Sequence, residues 1–230
     1  MAAISPKKVL ADLGFPVSKV PPAARTLTAE PRDTQGWLVE FVGPSGVGKT
    51  TLRQQVAPAL RKDWFFEHHA KGLLGHIPED TTTAAYIKRL FAGRLEDLQS
   101  LDLPLERIAA TSQRVCEVVR LGLVTKCLDL PRGFIMDDGL LHFFAGQVLE
   151  QDRDATEAFL DRTAFIFLLP DEPDTRDASA PQKRTQLDVY RELQDLVQDI
   201  GRPTLVLNSG DRTNHANRVL SFFAQDVLGR

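Results

Sequence analysis

Four residues early in the chain have the types and spacing of a phosphate-binding device: Gly43, Gly48, Lys49 and Thr50, in the order G-x-x-x-x-G-K-T. Residues 43–51 read GPSGVGKTT, so the candidate binding residues are Gly43, Pro44, Ser45, Gly46, Val47, Gly48, Lys49, Thr50 and Thr51. Glycines reach backbone angles closed to other residues, which lets N–H groups turn inward onto phosphate oxygens. A helix start adds its partial positive charge. Lys49 is long enough to meet the β and γ phosphates of a nucleotide, and the Thr50 hydroxyl suits a Mg²⁺ ion bound by them.

Two carboxylates form the second constellation. Asp137 and Asp138 follow the apolar run FIM directly and precede a glycine. A carboxylate at a strand end can hold Mg²⁺ or accept the proton of an attacking hydroxyl. Asp137 adjoins the run and is the first choice, as base and with Thr50 as metal ligand; Asp138 is second. The plainer reading is an Asp-Asp-Gly turn that caps a helix starting at Leu140. A third constellation is basic: Arg176, Lys183 and Arg184, with Arg191 beyond. Residues 171–186 read as a lid-like loop whose arginines, Arg176 and Arg184 foremost, would neutralise a transferring phosphoryl group and exclude water. Asp171, Glu172, Asp174 and Asp177 balance those charges, so a solvated loop fits as well.

The elements that must position these groups alternate in type. WLVEFV reads as a strand, KTTLRQQVAPALRK as a helix and DWFFEHH as a second strand. Residues 72–130 are mainly helical, with apolar residues every three or four positions. GFIMDDG, TAFIFLLP and PTLVLNSG are further strands. LLHFFAGQVLEQ, TQLDVYRELQDLVQDIG and RTNHANRVLSFFAQDVL are further helices. Such alternation implies a parallel sheet covered on both faces. The expected fold is one three-layer α/β domain over residues 37–230, with about five strands and 72–130 as a helical insert. Residues 1–36, rich in Pro, Ala, Lys and Thr, read as an N-terminal extension with a short helix near 6–13.

With those residues in place, GPSGVGKTT after LVEFV resembles the Walker A loop of P-loop NTPases. The later order, with an insert, FIMDDG, FIFLLPDEPDTR and PTLVLNSGD, resembles the nucleoside and nucleotide kinase group of that superfamily. The resemblance implies an ATP- and Mg²⁺-dependent phosphotransferase in which Lys49, Asp137, Asp138, Arg176 and Arg184 serve catalysis. It also implies that the Asp137 strand lies beside the loop strand. Kinases of this group often carry Asp-Arg or Glu-Arg where this chain has Asp-Asp, so the substrate-holding arginine must come from elsewhere. The insert offers Arg89, Arg94, Arg107, Arg114 and Arg120 as candidates, with Tyr86 and Phe91 able to stack on a ring, although such residues are more often solvent-facing or core.

Competing readings fail at particular positions. A GTPase pairs its loop with D-x-x-G and N-K-x-D; here Met136 and Ser209 occupy the first Asp and the Lys positions. The intact Lys49 argues against a sulfotransferase. The alternative from another class is a regulatory nucleotide-binding switch acting through a protein partner. Glu67, His68, His69 and His76 lack a recognised metal spacing and read as strand-end residues, and His142 as a packed or pocket-lining group. A net charge of −3 over 230 residues argues against a general nucleic-acid binder. No apolar run approaches the ~20 residues of a membrane span. Cys116 and Cys127 read as buried free thiols of a cytoplasmic protein. The expected partner is a small-molecule acceptor, with a homodimer allowed.

Overall fold

In the computed structural model, residues 32–67, 73, 81–170, 185–210 and 214–230 are described. Among them, Leu38–Val42 (β1), Trp64–Phe66 (β2), Gly133–Asp137 (β3), Thr163–Leu169 (β4) and Thr204–Asn208 (β5) are the strands. They form one sheet in the order β2-β3-β1-β4-β5, and every pairing is parallel. β1 is therefore central. Phe41 pairs with Asp137 of β3 on one side and Ile166 of β4 on the other. The loop strand and the Asp137 strand lie side by side, as the resemblance implied.

The helices are α1 (Lys49–Leu60), α2 (Thr82–Ser100), α3 (Leu105–Cys127), α4 (Leu140–Leu149), α5 (Arg153–Phe159), α6 (Gln186–Asp199) and α7 (His215–Phe222), the last running into a π-helical turn at Phe223–Val227. They cover both faces of the sheet, and strand alternation divides the core between them. In β4, Ala164, Ile166 and Leu168 pack against α1 and α7, while Phe165, Phe167 and Leu169 pack against α2 and α4–α6. β1, β3 and β4 are buried along their whole length, which explains their unbroken apolar runs. Each fully buried Phe or Leu there contributes about 1.5–3 kcal/mol.

The insert forms a helical hairpin, α2 and α3. Thr81 caps α2 by accepting from Ala84 N at 2.9 Å. Gly122 lets α3 close on α4, since a Cβ there would lie 2.7 Å from the Leu140 methyls. No described helix is long and apolar enough to cross a membrane.

Several expectations need correction. The short helix α5, before β4, has no counterpart among the expected elements; Asp152 starts it by accepting from Ala155 N. Residues 32–36 are not free extension, because buried Thr34 donates to the Asp63 carbonyl and accepts from Gly133 N. Thr185 and Gln186 are not lid: they cap and open α6 in a reciprocal Thr185–Asp188 box. Cys116 is exposed on α3 rather than buried, although both cysteines are free thiols. The expected helix near 6–13, the rest of the lid with Arg176, Lys183 and Arg184, and His68, His69 and His76 lie outside the described residues.

Candidate functional site at the carboxyl edge of the central strands

β1 ends at Val42, and the chain turns sharply at Gly43, φ 151°, where a Cβ would sit 2.1 Å from the Leu168 carbonyl oxygen. Only glycine fits there. Gly48, φ 105°, begins α1 in the left-handed region. Gly48 has no side chain with which to cap α1, and the first turn contains no acid. The loop thus ends on a helix start, which carries positive partial charge.

Lys49 follows at once. It is only 5 % exposed, and its Nζ donates to the carbonyls of Gly43 at 2.8 Å and Pro44 at 2.9 Å. A buried ammonium needs a counter-charge, and Asp138 Oδ1 supplies it at 3.0 Å. One residue on, Thr50 Oγ1 donates to Asp137 Oδ2 at 2.6 Å. The two adjacent residues that open α1 therefore meet the last residue of β3 and the aspartate that follows it.

Arg53, one turn further along α1, places Nε 2.8 Å from Asp137 Oδ1, with its guanidinium 6.0 Å from the Phe66 ring centre. Glu67, just beyond β2, faces the same aspartate. Burial first, then the hydrogen bond and charge of Asp137, push Glu67 up to about 7, against the pull of Arg53 and Arg114. Burial would also raise Asp137, but hydrogen bonds from Glu67 and Thr50 and the Arg53 charge hold it below its ordinary value. Glu67 thus holds a proton more firmly than an ordinary carboxyl, and Asp137 less firmly.

Asp138 adopts φ 58°, a left-handed angle uncommon outside glycine. Its carboxylate also faces His142 Nε2 of α4 at 3.5 Å. The other ring nitrogen, Nδ1, lies 2.8 Å from the Tyr190 hydroxyl of α6. Burial first, then the charges of Lys49 and Arg114, hold His142 below its usual value, opposed by Asp138 and the Gly43 carbonyl. His142 is thus packed against Asp138, Phe143 and Tyr190, the first of the two readings its place in the sequence allowed, and belongs to the network.

Lys49, Thr50, Asp137 and Asp138 are brought together, with the glycine loop around them. Of the insert arginines, Arg114 acts on Glu67 and His142 beside this cluster, with its guanidinium 5.6 Å from the Phe143 ring centre, and Arg94 acts on Tyr190. Arg89 stacks over Tyr86, Arg94 pairs with Asp97, and Arg107 and Arg120 are solvent-exposed. Tyr86 is core, not a platform for a ligand: it is 2 % exposed and stacked on Phe159. Asn208 spends its side-chain oxygen on Gly210 N within a turn.

A small cleft of about 90 Å³ adjoins the loop, lined among others by Thr51, Gln55, Ser209 and His215. His215 is 5 % exposed, and its Nε2 has no hydrogen-bond partner among the described residues.

Arg53, Glu67, His215 and Tyr190 were missed as site residues from sequence. For Glu67 a signal existed: it follows the apolar run WFF as Asp137 follows FIM. Comparison with family models, curated proteins and solved structures finds no match for this chain.

Proposed function

We propose that this chain, a member of the P-loop kinase-like group on our reading, is a Mg²⁺- and ATP-dependent phosphotransferase acting on a small hydroxyl- or phosphate-bearing acceptor. One observation carries the reading: Lys49 and Thr50 at the loop exit meet Asp138 and Asp137 at the adjacent strand end. A glycine loop alone would suit any anion. A loop lysine and hydroxyl facing two carboxylates suit a triphosphate whose terminal group is moved.

The donor set fits the metal. Thr50 Oγ1 and Asp137 Oδ2 are neighbouring oxygens, the ligand type Mg²⁺ prefers. No described cluster of three His, Cys, Asp or Glu could hold a metal unaided, in keeping with an ion that keeps waters and arrives with phosphates. When bound, it would neutralise charge developing on the transferred group.

The chain's own residues do the rest. Loop N–H groups and Lys49 hold the β and γ phosphates, and the cleft at Thr51, Gln55 and His215 takes the nucleoside end. An acceptor hydroxyl in reach of the Asp137–Glu67 pair passes its proton to those carboxylates as its oxygen bonds to the γ phosphorus. The bond from phosphorus to the ADP oxygen breaks in the same displacement. A carboxyl near pH 7 is well matched to such an exchange. Arg53 and Arg114 supply positive charge beside the acceptor, the role the missing Asp-Arg pair would have filled. ATP supply suits a cytoplasmic setting, which also keeps Cys116 and Cys127 reduced.

ADP production measured across nucleosides, nucleotides, sugars and amino alcohols tests the proposal. Acceptor-dependent ADP release that Lys49→Ala abolishes is the expected result. ATP binding with no acceptor stimulating turnover would favour the switch protein instead.

A further inference from the structure

Lys49 donates to two backbone carbonyls, Gly43 at 2.8 Å and Pro44 at 2.9 Å, and pairs by charge with Asp138 at 3.0 Å. A phosphate arriving at the lysine must displace one of these partners. The carbonyls are fixed by the loop backbone. Asp138 is a side chain, free to turn about its own bonds. It bears the charge that repels phosphate, and its Oδ1 makes no aligned hydrogen bond among the described residues.

A receiving group already stands beside it. His142 Nε2 lies 3.5 Å from the same Oδ1, just beyond hydrogen-bond length. Which nitrogen carries the proton follows from the neighbours. Gln186 offers its amide N–H to the Tyr190 oxygen at 3.3 Å, so that oxygen accepts. The Tyr190 proton is then directed to His142 Nδ1, 2.8 Å away. With Nδ1 accepting, a neutral ring carries its N–H on Nε2, facing Asp138. Tyr190 is 1 % exposed and stacks on the imidazole with planes 10° apart, so the ring is held in that orientation.

We infer that His142, oriented by Tyr190, takes the Asp138 carboxylate from Lys49 when a triphosphate binds. This rests on the nucleotide-binding reading above and adds a positioning role for α4 and α6. The exchange frees the lysine for phosphate and keeps the displaced charge hydrogen-bonded instead of pressed against the ligand.

Calorimetric titration of the full chain with Mg-ATP, and separately with adenosine, tests the hand-over. His142→Phe should weaken ATP binding about tenfold, as expected on losing a group that orients a primary contact, while adenosine affinity stays unchanged. Tyr190→Phe should act in the same direction and less. Asp138→Asn alone should tighten ATP binding by removing the repelled charge. In that background, His142→Phe should have no further effect. Three outcomes would each overturn the inference alone: equal losses for ATP and adenosine, an undiminished His142→Phe effect when combined with Asp138→Asn, or weaker ATP binding in Asp138→Asn. A wild-type chain that does not bind ATP would overturn it together with the proposed function.

Discussion

β1 and β3 lie side by side, and each turns into a helix at the same edge of the sheet, yet the two corners treat the helix start in opposite ways. At the first, Gly48 opens α1 with no side-chain cap and no acid in its first turn. At the second, Gly139 opens α4, and the fully buried Glu40 reaches across from β1 to accept from Leu140 N at 3.0 Å and Leu141 N at 2.9 Å. Gly139 is required for that approach, since a Cβ would stand 2.5 Å from the Glu40 carboxyl carbon. Both starts carry the same partial charge. One is met by a carboxylate on its own N–H groups; on the proposed function, the other takes the phosphates of the nucleotide. At the first corner the carboxylates, Asp137 and Asp138, meet the side chains of Thr50 and Lys49; at the second, Glu40 takes the backbone N–H groups themselves.

The severest way to break the comparison is at the residue joining the corners. Asp137→Asn should lower phosphoryl transfer by about a hundredfold or more while ATP still binds, the size expected of a lost proton acceptor. Full activity by coupled assay would reduce Asp137 to a turn residue. Lys49→Ala empties the first corner of its charged donor. ATP affinity should fall by about tenfold to a hundredfold, as for other hydrogen bonds to charged groups. Adenosine binding, followed in the same calorimeter, should not change.

Glu40→Gln attacks the second corner. An amide can accept from one of the two N–H groups but turns its NH₂ against the other, so chemical denaturation should show a loss of about 2 kcal/mol. An unchanged midpoint would show that α4 needs no anion at its start. A further effect concerns pH. Glu67 stands at about 7 in the fold against 4.5 ordinarily, so its contribution is complete below about pH 4.5 and is lost as pH rises through 7. Asp137 runs the other way, its contribution being lost only as pH falls below the ordinary 3.8. Glu67→Gln should therefore flatten the stability profile between pH 4.5 and 7. A slope that persists there would assign it to other groups.

Much of this arrangement is legible in the residues. An apolar run into GPSGVGKTT announces a strand, a cradle and a helix, because glycine, lysine and threonine at those offsets have few other uses. Asp137 is the last residue of β3, as its position after FIM suggests. What escapes is whatever depends on a neighbour distant in sequence. Glu40 looks like the polar half of an alternating strand, yet it is 1 % exposed because α4 docks against it. Tyr86 looks available for stacking until Phe159 covers it. Arg53 is one of many helix arginines until β3 brings Asp137 beside it. α5 is too short to show a period, and only Asp152 marks its start. Composition and spacing carry local geometry; partners brought in by the sheet do not show in them.

The central place of β1 also bears on how the protein is made. Leu38 finds its partners in Phe134 and Thr163, far later in the chain. At about 5–20 residues per second, the roughly 100 residues separating β1 from β3 take about 5–20 seconds to leave the ribosome. Throughout that interval the apolar LVEFV run and its glycine loop lack the strands they later pair with. The middle of the sheet is the first of the described strands to be synthesised and must wait for both its neighbours, so the nascent chain carries an unpaired apolar edge at the segment that later builds the candidate site.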